Sequence, residues 1–411
     1  MKLIADKPKT KAQENCIKRA YQLSKVQWYA KAPMPSNVWY RTAAEPFHYE
    51  KAFHIPFATM TGMAYSSCRA VEKFVPYNVS LETYMTALMN PNSVLYTKNL
   101  HGVGAGSVGS YYGTVCSTFV SHCTGRPYRT ICKAWPDLTE EIDVTETLDN
   151  MQLCDIIDNP KKHIAIITGL WRDEEGHVQK VEVSESILPV AATRVFNAEQ
   201  FRGFYIAHDY RIFRYDLPED LSYTPSPYIP LEGDAEQEDP AFDIMTNWGH
   251  NANCLKDLEP VELSVIRGDW DEFAVTAPDG SVKTYPAGEK VKVETPVVGD
   301  YTAVPKKGDK TGNPVCWHVV DLKADCPRSC KVGEKLEITF RNAEDDAVFH
   351  CMVNAFPTNS ILRQKYLTEE EAKAGRITVE GLPVGRCWVI VIAKNKFGAY
   401  CSNHVYLDVT E

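Results

Sequence analysis

The chain has 411 residues, 44% of them hydrophobic and 24% charged, with a formal net charge of −10 at pH 7. That length accommodates roughly two to four domains, and the composition is too apolar for a disordered protein. The acidic excess and the lack of any basic stripe exclude nucleic acid as the main partner, because neutralising phosphates takes clustered Lys and Arg.

No stretch reaches the ~18 consecutive apolar residues of a membrane-spanning helix, so no integral membrane segment is expected. The N-terminus MKLIADKPKTKAQENC starts basic but has no apolar core behind it and does not read as a secretory signal. As it stands the chain reads as cytoplasmic; removal of a leader would make it secreted or cell-surface. The 13 cysteines are scattered without a dense framework and are read mainly as reduced core thiols. Cys326 and Cys330 form C-x3-C, but no second pair completes a zinc set, so no metal is expected and the two are read as buried thiols or a disulfide.

In chain order, residues 1–215 mix helical periodicity with short β runs. Gly62-Met63-Ala64-Tyr65 forms a glycine turn followed by an aromatic residue. The segment HGVGAGSVGSYYGTVCSTFVSHCTG, residues 101–125, runs from a glycine-rich loop into a helical pattern. Cys116, Phe119, Val120 and Cys123 fall on one helical face, with Thr114 the expected N-cap. Cys116 then lies in the first helical turn, where the positive dipole end stabilises a thiolate and helps receive an oxyanion. Gly113 before it allows close approach of a substrate backbone. Gly102, Gly104 and Gly106 lack a complete dinucleotide fingerprint, and Ser107 is one residue short of a nucleophile elbow.

A thiolate nucleophile needs a base held in a fixed orientation. His163 opens a buried strand, HIAIITG, and after the turn RDEEG a second strand, HVQKVEVSES, alternates Val181 and Val183 with Glu182 and Ser184. Such a hairpin brings His163 near an acidic or hydroxyl partner. Glu182 is the expected third residue, with Ser184 on the same face and Glu185 adjacent. His122, His177 and His208 are alternative bases, and Cys68, Cys123, Cys132 and Cys154 are read as structural.

From Asp216 to about Pro260 the composition turns to Pro, Asp and Glu, which suits an extended connector. From Val261 onward short alternating segments follow one another, among them VELSVI, EFAVTA, CWHVVDL, KLEITF, RITVEGL and HVYLDV. Polar turns such as Pro278-Asp279-Gly280 separate them, the pattern of β-sandwiches. Two are expected, at 261–322 and 323–411, with no clear sequence repeat between them. VGRCWVIVIAKNKFGAYCSNHVYLDV resembles the last strands of immunoglobulin-like or fibronectin-type domains.

Across residues 55–210 the order of motifs resembles the NlpC-type cell-wall peptidases of the papain-like superfamily. Val115-Cys116-Ser117-Thr118-Phe119-Val120 is similar to their Asp-Cys-Ser-Gly-Phe-Val. Cys154-Asp155-Ile156-Ile157 echoes Gly-Asp-Leu-Val, and His163-Ile164-Ala165-Ile166-Ile167 echoes His-Val-Gly-Ile-Tyr. Gly62-Met63-Ala64-Tyr65 resembles Gly-x-Pro-Tyr. Val115 and Thr118 depart from the pattern, as does Glu182, where the family more often has His, Asn or Gln.

The resemblance implies an α+β fold: a papain-like (NlpC-type) catalytic domain at 1–215, a linker at 216–260 and two all-β immunoglobulin-like sandwiches. It implies a cysteine peptidase or amidase that needs no cofactor. Cys116 would be nucleophile, His163 base and Glu182 orienter, with Tyr65, Gly113 and Ser117 at the oxyanion and substrate. Its substrate would be a peptide or amide, with peptidoglycan the family's own. The alternatives are an acyltransferase using the same pair, and an inactive papain-like binding or adhesion protein.

Overall fold

The structure, a computed structural model, describes residues 2–35, 39–41, 46–48, 58–66, 79–98, 100, 110–126, 135–256, 260–341, 347–358 and 361–411. The chain divides into two compact units. The first comprises Met1–Trp28, Thr59–Tyr65 and Thr114–Asp239; the second comprises Tyr29–Ala58, Ser66–Gly113 and Pro240–Glu411.

The first unit is organised on a seven-stranded antiparallel sheet. Its strands are β1 (Ile4–Ala5), β2 (Glu140–Ile142), β3 (Ile156–Asn159), β4 (His163–Arg172), β5 (Val178–Ser186), β6 (Ala191–Asn197) and β7 (Arg211–Arg214). They lie in the order β6-β5-β4-β3-β7-β2, with β1 on β4. The central strands are β-branched runs buried on both faces: Ile164, Ile166, Ile167, Val181 and Val183 are inaccessible to solvent. Such residues pack well on a pleated surface and lose little by their stiff χ1 there.

Three helices accompany the sheet: α1 (Lys11–Lys25), α2 (Cys116–Cys123) and α3 (Ala198–Phe204). Helix α1 starts at Thr10, whose hydroxyl accepts from Gln13 N at 3.1 Å, and buries Ala12, Cys16, Ile17, Ala20 and Leu23. In α2, Phe119, Val120 and Cys123 are wholly buried.

The second unit holds two sandwiches. The first has strands β8 (Ile244–Thr246), β9 (Ala252–Leu255), β10 (Val261–Val265), β11 (Glu272–Thr276), β12 (Val282–Pro286), β13 (Val291–Val293), β14 (Gly299–Lys307), β15 (Lys310–Thr311) and β16 (Val315–Val320). The second has β17 (Lys323–Asp325), β18 (Ser329–Lys331), β19 (Leu336–Arg341), β20 (Val348–Ala355), β21 (Ile361–Tyr366), β22 (Arg376–Val379), β23 (Gly385–Asn395), β24 (Gly398–Cys401) and β25 (Val405–Thr410).

The two share one topology strand for strand. Sheets β8-β10-β13 and β9-β16-β14-β11-β12, with β15 on β14, are repeated as β17-β19-β22 and β18-β25-β23-β20-β21, with β24 on β23. Each contains one parallel pair in the same place, β9 with β16 and β18 with β25. Strand β19 shows the expected alternation: Leu336, Ile338 and Phe340 are buried, while Glu337, Thr339 and Arg341 are exposed.

Among the described residues strand outweighs helix, 41% against 16%. The expected α+β fold with a papain-like catalytic domain is therefore corrected. The protein is mainly β, and the half expected to carry that domain is built on an antiparallel sheet with helices of 15, 8 and 7 residues. The division between units falls at Asp239 and Pro240, and β8 and β9 form within the stretch read as a connector.

One glycine in the first unit is fixed by its surroundings. Gly62 has φ +92°, and a Cβ placed on it would lie 1.8 Å from the Ala191 carbonyl oxygen. Its N–H donates to Val26 O at 2.7 Å, and its carbonyl accepts from Trp28 Nε1 at 2.8 Å. Gly62→Ala is expected to destabilise the protein by at least ~1–3 kcal/mol, from backbone strain alone. Urea unfolding followed by tryptophan fluorescence measures it, and an unchanged midpoint would refute the packing described.

Candidate active site

Helix α2 begins where the chain leaves an extended conformation. Val115, not Thr114, is the N-cap (φ −106°, ψ 168°). Valine has no side-chain acceptor, so the cap works in reverse: the Val115 N–H donates to Thr118 Oγ1 at 2.9 Å, and Thr118 Oγ1 also bonds Thr114 Oγ1 at 2.8 Å. The hydroxyl that replaces glycine in the motif thus closes the first turn. Cys116 is the first helical residue. It is half-buried, whereas Cys123 at the other end is sealed.

The imidazole of His163, at the start of β4, is hydrogen-bonded to Cys116. Its Nε2 lies 2.7 Å from Glu185 Oε2. Burial disfavours the charged ring, but the hydrogen bonds and charges of Cys116 and Glu185 outweigh it and push its pKa up to about 9. The ring therefore holds its proton at neutral pH. Glu185 is itself only 1% exposed. Burial disfavours its charge too, yet His163 and Arg194 hold its carboxyl below the usual range.

The carboxylate expected to hold the ring, Glu182, is engaged elsewhere. Its Oε1 accepts from Tyr21 at 2.5 Å and from Thr168 at 2.9 Å. Thr168 bonds Ser184, Ser184 bonds Thr193, and Thr193 bonds Ser24 of α1, at 3.0, 2.7 and 2.6 Å. Glu182 and Ser184 thus belong to a hydroxyl network that joins the sheet to α1. The residue the sequence reading passed over is Glu185. Ile166 pairs with Ser184, so stepping one residue along the antiparallel pair puts Glu185 across from Ala165, diagonal to His163. A register of that kind, set by the turn between two strands, was the signal that could have found it.

Tyr65 is placed by its backbone. It forms a parallel bridge with Thr114, and its N–H donates to Pro189 O at 2.8 Å. Ser117 is buried in the first turn, its carbonyl accepting from Ser121 Oγ at 2.7 Å. Gly113 is assigned to the second unit. Of the alternative bases, His177 pairs at the surface with Asp149 (2.7 Å), and the His208 carbonyl accepts from Asn159 and Lys162; His122 lies in the last turn of α2. Cys68, Cys132, Ser107 and the glycines at 102, 104 and 106 lie outside the described residues.

No cluster of three His, Cys, Asp or Glu able to hold a metal occurs among the described residues; Cys326 and Cys330 are free thiols. No helix there is long and apolar enough to cross a membrane. A polar cavity of about 680 Å³, lined among others by Asp6, Lys9, Asp149, Arg172 and Arg214, shares no residue with the Cys116–His163–Glu185 cluster.

No protein-family model matches the chain, and no curated protein matches it. Among solved structures it is similar to murine CEACAM1b, with 13% identity over 40% of this chain and 99% of that one, at a TM-score of 0.17. It is likewise similar to domains 3 and 4 of rat CD4 (10% identity, 39% of this chain and 98% of that one, TM-score 0.22). The Ig1-2 module of the Drosophila receptor protein tyrosine phosphatase DLAR gives 12% identity over 39% and 95%, at a TM-score of 0.17. These solved structures are immunoglobulin-like.

The geometry separates the two carboxylates experimentally. Glu185→Gln is expected to slow alkylation of Cys116 at pH 7 by at least about tenfold, while Glu182→Gln changes it less than about twofold; the reverse ranking would disprove the assignment. The raised His163 pKa also has a stability signature. Because the folded ring titrates near 9 rather than at 6.5, its stabilisation is complete below about pH 6.5 and is lost as pH rises through about 9. The stability gap between wild type and His163→Gln should narrow over that window by at most about 3 kcal/mol, read from urea midpoints at each pH.

Proposed function

We propose that the first unit is a cysteine hydrolase acting on amide bonds, with Cys116 as nucleophile, His163 as acid and base, and Glu185 as the residue that orients the ring. The observation that carries this reading is the single imidazole bonded on one side to a thiol at a helix start and on the other, at 2.7 Å, to a buried carboxylate. A nucleophile, a base and an orienter in hydrogen-bond sequence are the parts that covalent acyl transfer needs.

The Cys116 thiolate attacks the carbonyl carbon, forming a C–S bond and pushing the π electrons onto oxygen. The positive end of α2 steadies that oxyanion, with Tyr65 held beside the helix start to contribute. His163 gives its proton to the leaving nitrogen as the C–N bond breaks. Water then loses a proton to His163 and adds to the thioester, and breakage of the C–S bond returns the thiolate. The motif resemblance around residues 115–120 and 163–167 favours peptide substrates of the cell-wall type. It bears on the reaction and not on the fold.

Iodoacetamide labelling tests the reading. Cys116 should label well below the ordinary thiol pKa of ~8.5, faster than the sealed Cys16 and Cys123, and Cys116→Ala should abolish both this labelling and hydrolysis of a responsive substrate from a peptidoglycan-fragment and acyl-amide library. Equal, slow labelling of several cysteines would show the cluster to be inert.

A further inference from the structure

The buried carboxylate has its own support, which the proposed reaction does not name. Glu185 divides its two oxygens: Oε2 takes His163, while Oε1 accepts from Arg194 Nε at 3.0 Å, from a second Arg194 nitrogen, and from the Tyr205 hydroxyl at 3.2 Å. Arg194 on β6 is 35% exposed, and its guanidinium lies over the rings of Phe196 and Phe204 at 5.4 and 5.2 Å. It is therefore clamped by aromatic faces and carboxylate together. Burial and the neighbouring Glu185 hold the Tyr205 phenol far above its ordinary pKa, so it stays a donor.

We propose that Arg194, seconded by Tyr205, is a positioning residue that fixes Glu185 on His163 and sets the pH window in which the Cys116–His163 pair is charged. This rests on the hydrolase reading. The physical reason is the alternation of sign: thiolate, imidazolium, carboxylate, guanidinium. An uncompensated buried carboxylate would draw the proton more strongly onto the ring and repel the thiolate. A positive charge on its far oxygen limits both effects, and the aromatic clamp keeps that charge in place.

The charged and titratable groups around the ring are few among the described residues. Cys116 comes from α2, Glu185 from β5, Arg194 from β6, and Tyr205 from the turn after α3, with Tyr210 packed edge-on against Tyr205 at 5.3 Å. Strand β3 puts Asn159 opposite the ring and the buried Asp158 opposite Ile164. The neighbouring Lys162 donates away, to the His208 carbonyl. Arg194 is thus the cation bonded to the carboxylate that touches His163.

The test is the pH dependence of iodoacetamide labelling of Cys116 in the full chain, followed by mass spectrometry of its peptide. Removing the positive charge in Arg194→Met or Arg194→Gln should raise both the acid limb, where the thiolate forms, and the alkaline step, where the ring deprotonates. The expected shift is about half a pH unit, below the ~1–3 units of a charge at ~4–6 Å, because Glu185 stands between Arg194 and the ring. Arg194→Lys, which keeps the charge and loses the fork, should restore most of the wild-type profile. Tyr205→Phe should shift it less than either neutral variant.

Two neutral variants are used so that a folded one, checked by circular dichroism, is read. Unmoved limbs in a folded neutral variant overturn the inference while leaving the hydrolase reading intact. An equal shift in Arg194→Lys also overturns it, since charge would then not be the cause. A wild-type Cys116 that labels only as an ordinary thiol overturns the hydrolase reading and this inference with it.

Discussion

A charged imidazole away from bulk water is costly unless it is paired and hydrogen-bonded, and the candidate site follows from how that cost is offset at His163. The ring is only 18% exposed. Its charge is favoured because both a sulfur and a carboxylate are bonded to it. The carboxylate is buried in turn and needs the guanidinium and the phenol. No member of the row is favourable alone, so the row is held as a unit, and its strength depends on how well the backbone registers α2, β4, β5 and β6 are kept.

Strand β5 carries two carboxylates three residues apart with opposite environments. Glu182 receives neutral hydroxyls from Tyr21 and Thr168 and serves to join sheet to helix. Glu185 receives a guanidinium and faces an imidazole. The difference comes from the pleat: an odd spacing of three puts the two on opposite faces. The hydroxyl network on the Glu182 face is satisfied at every step, which is what allows so many polar groups to lie in that layer.

That Cys116 opens a helix and His163 opens a strand was legible in the sequence because each position is defined locally, one by the onset of a 3.6-residue period and the other by the first residue of a β-branched run. Glu185 was not, because its partner is fixed by strand register, and a slip of one residue exchanges the faces. The same distinction holds for the fold. Alternation revealed strands such as β19 and β10. The segment NWGHNANCL, however, gave no period, and it supplies β9, which pairs in parallel with β16 some sixty residues on. The shared topology of the two sandwiches was equally hidden, since strand order is a property of long-range pairing and the inward positions accept any apolar residue of suitable size. The papain-like expectation for the first half rested on the order of short motifs at residues 62–65, 115–120, 154–157 and 163–167, and such motifs carry no information on how much of the surrounding chain is strand.

The positions of sulfur and carboxylate are tied to each other through the backbone more directly than through the ring between them. Ser186, next to Glu185, donates from Oγ to the carbonyl of Thr114, two residues before Cys116, at 2.8 Å. The strip Gly62–Tyr65 reinforces that link. Thr114 N donates to Ala64 O at 3.0 Å, Tyr65 N donates to Pro189 O, and Ala191 N donates to Met63 O, both at 2.8 Å. One extended strip therefore joins the start of α2 to the turn between β5 and β6. Catalytic geometry tolerates errors of well under ~1 Å, and side-chain bonds alone leave long rotamers free to drift. A shared backbone strip removes that freedom at its source, which gives Gly62, far from the chemistry in sequence and unable to take a side chain, a place in the site's construction.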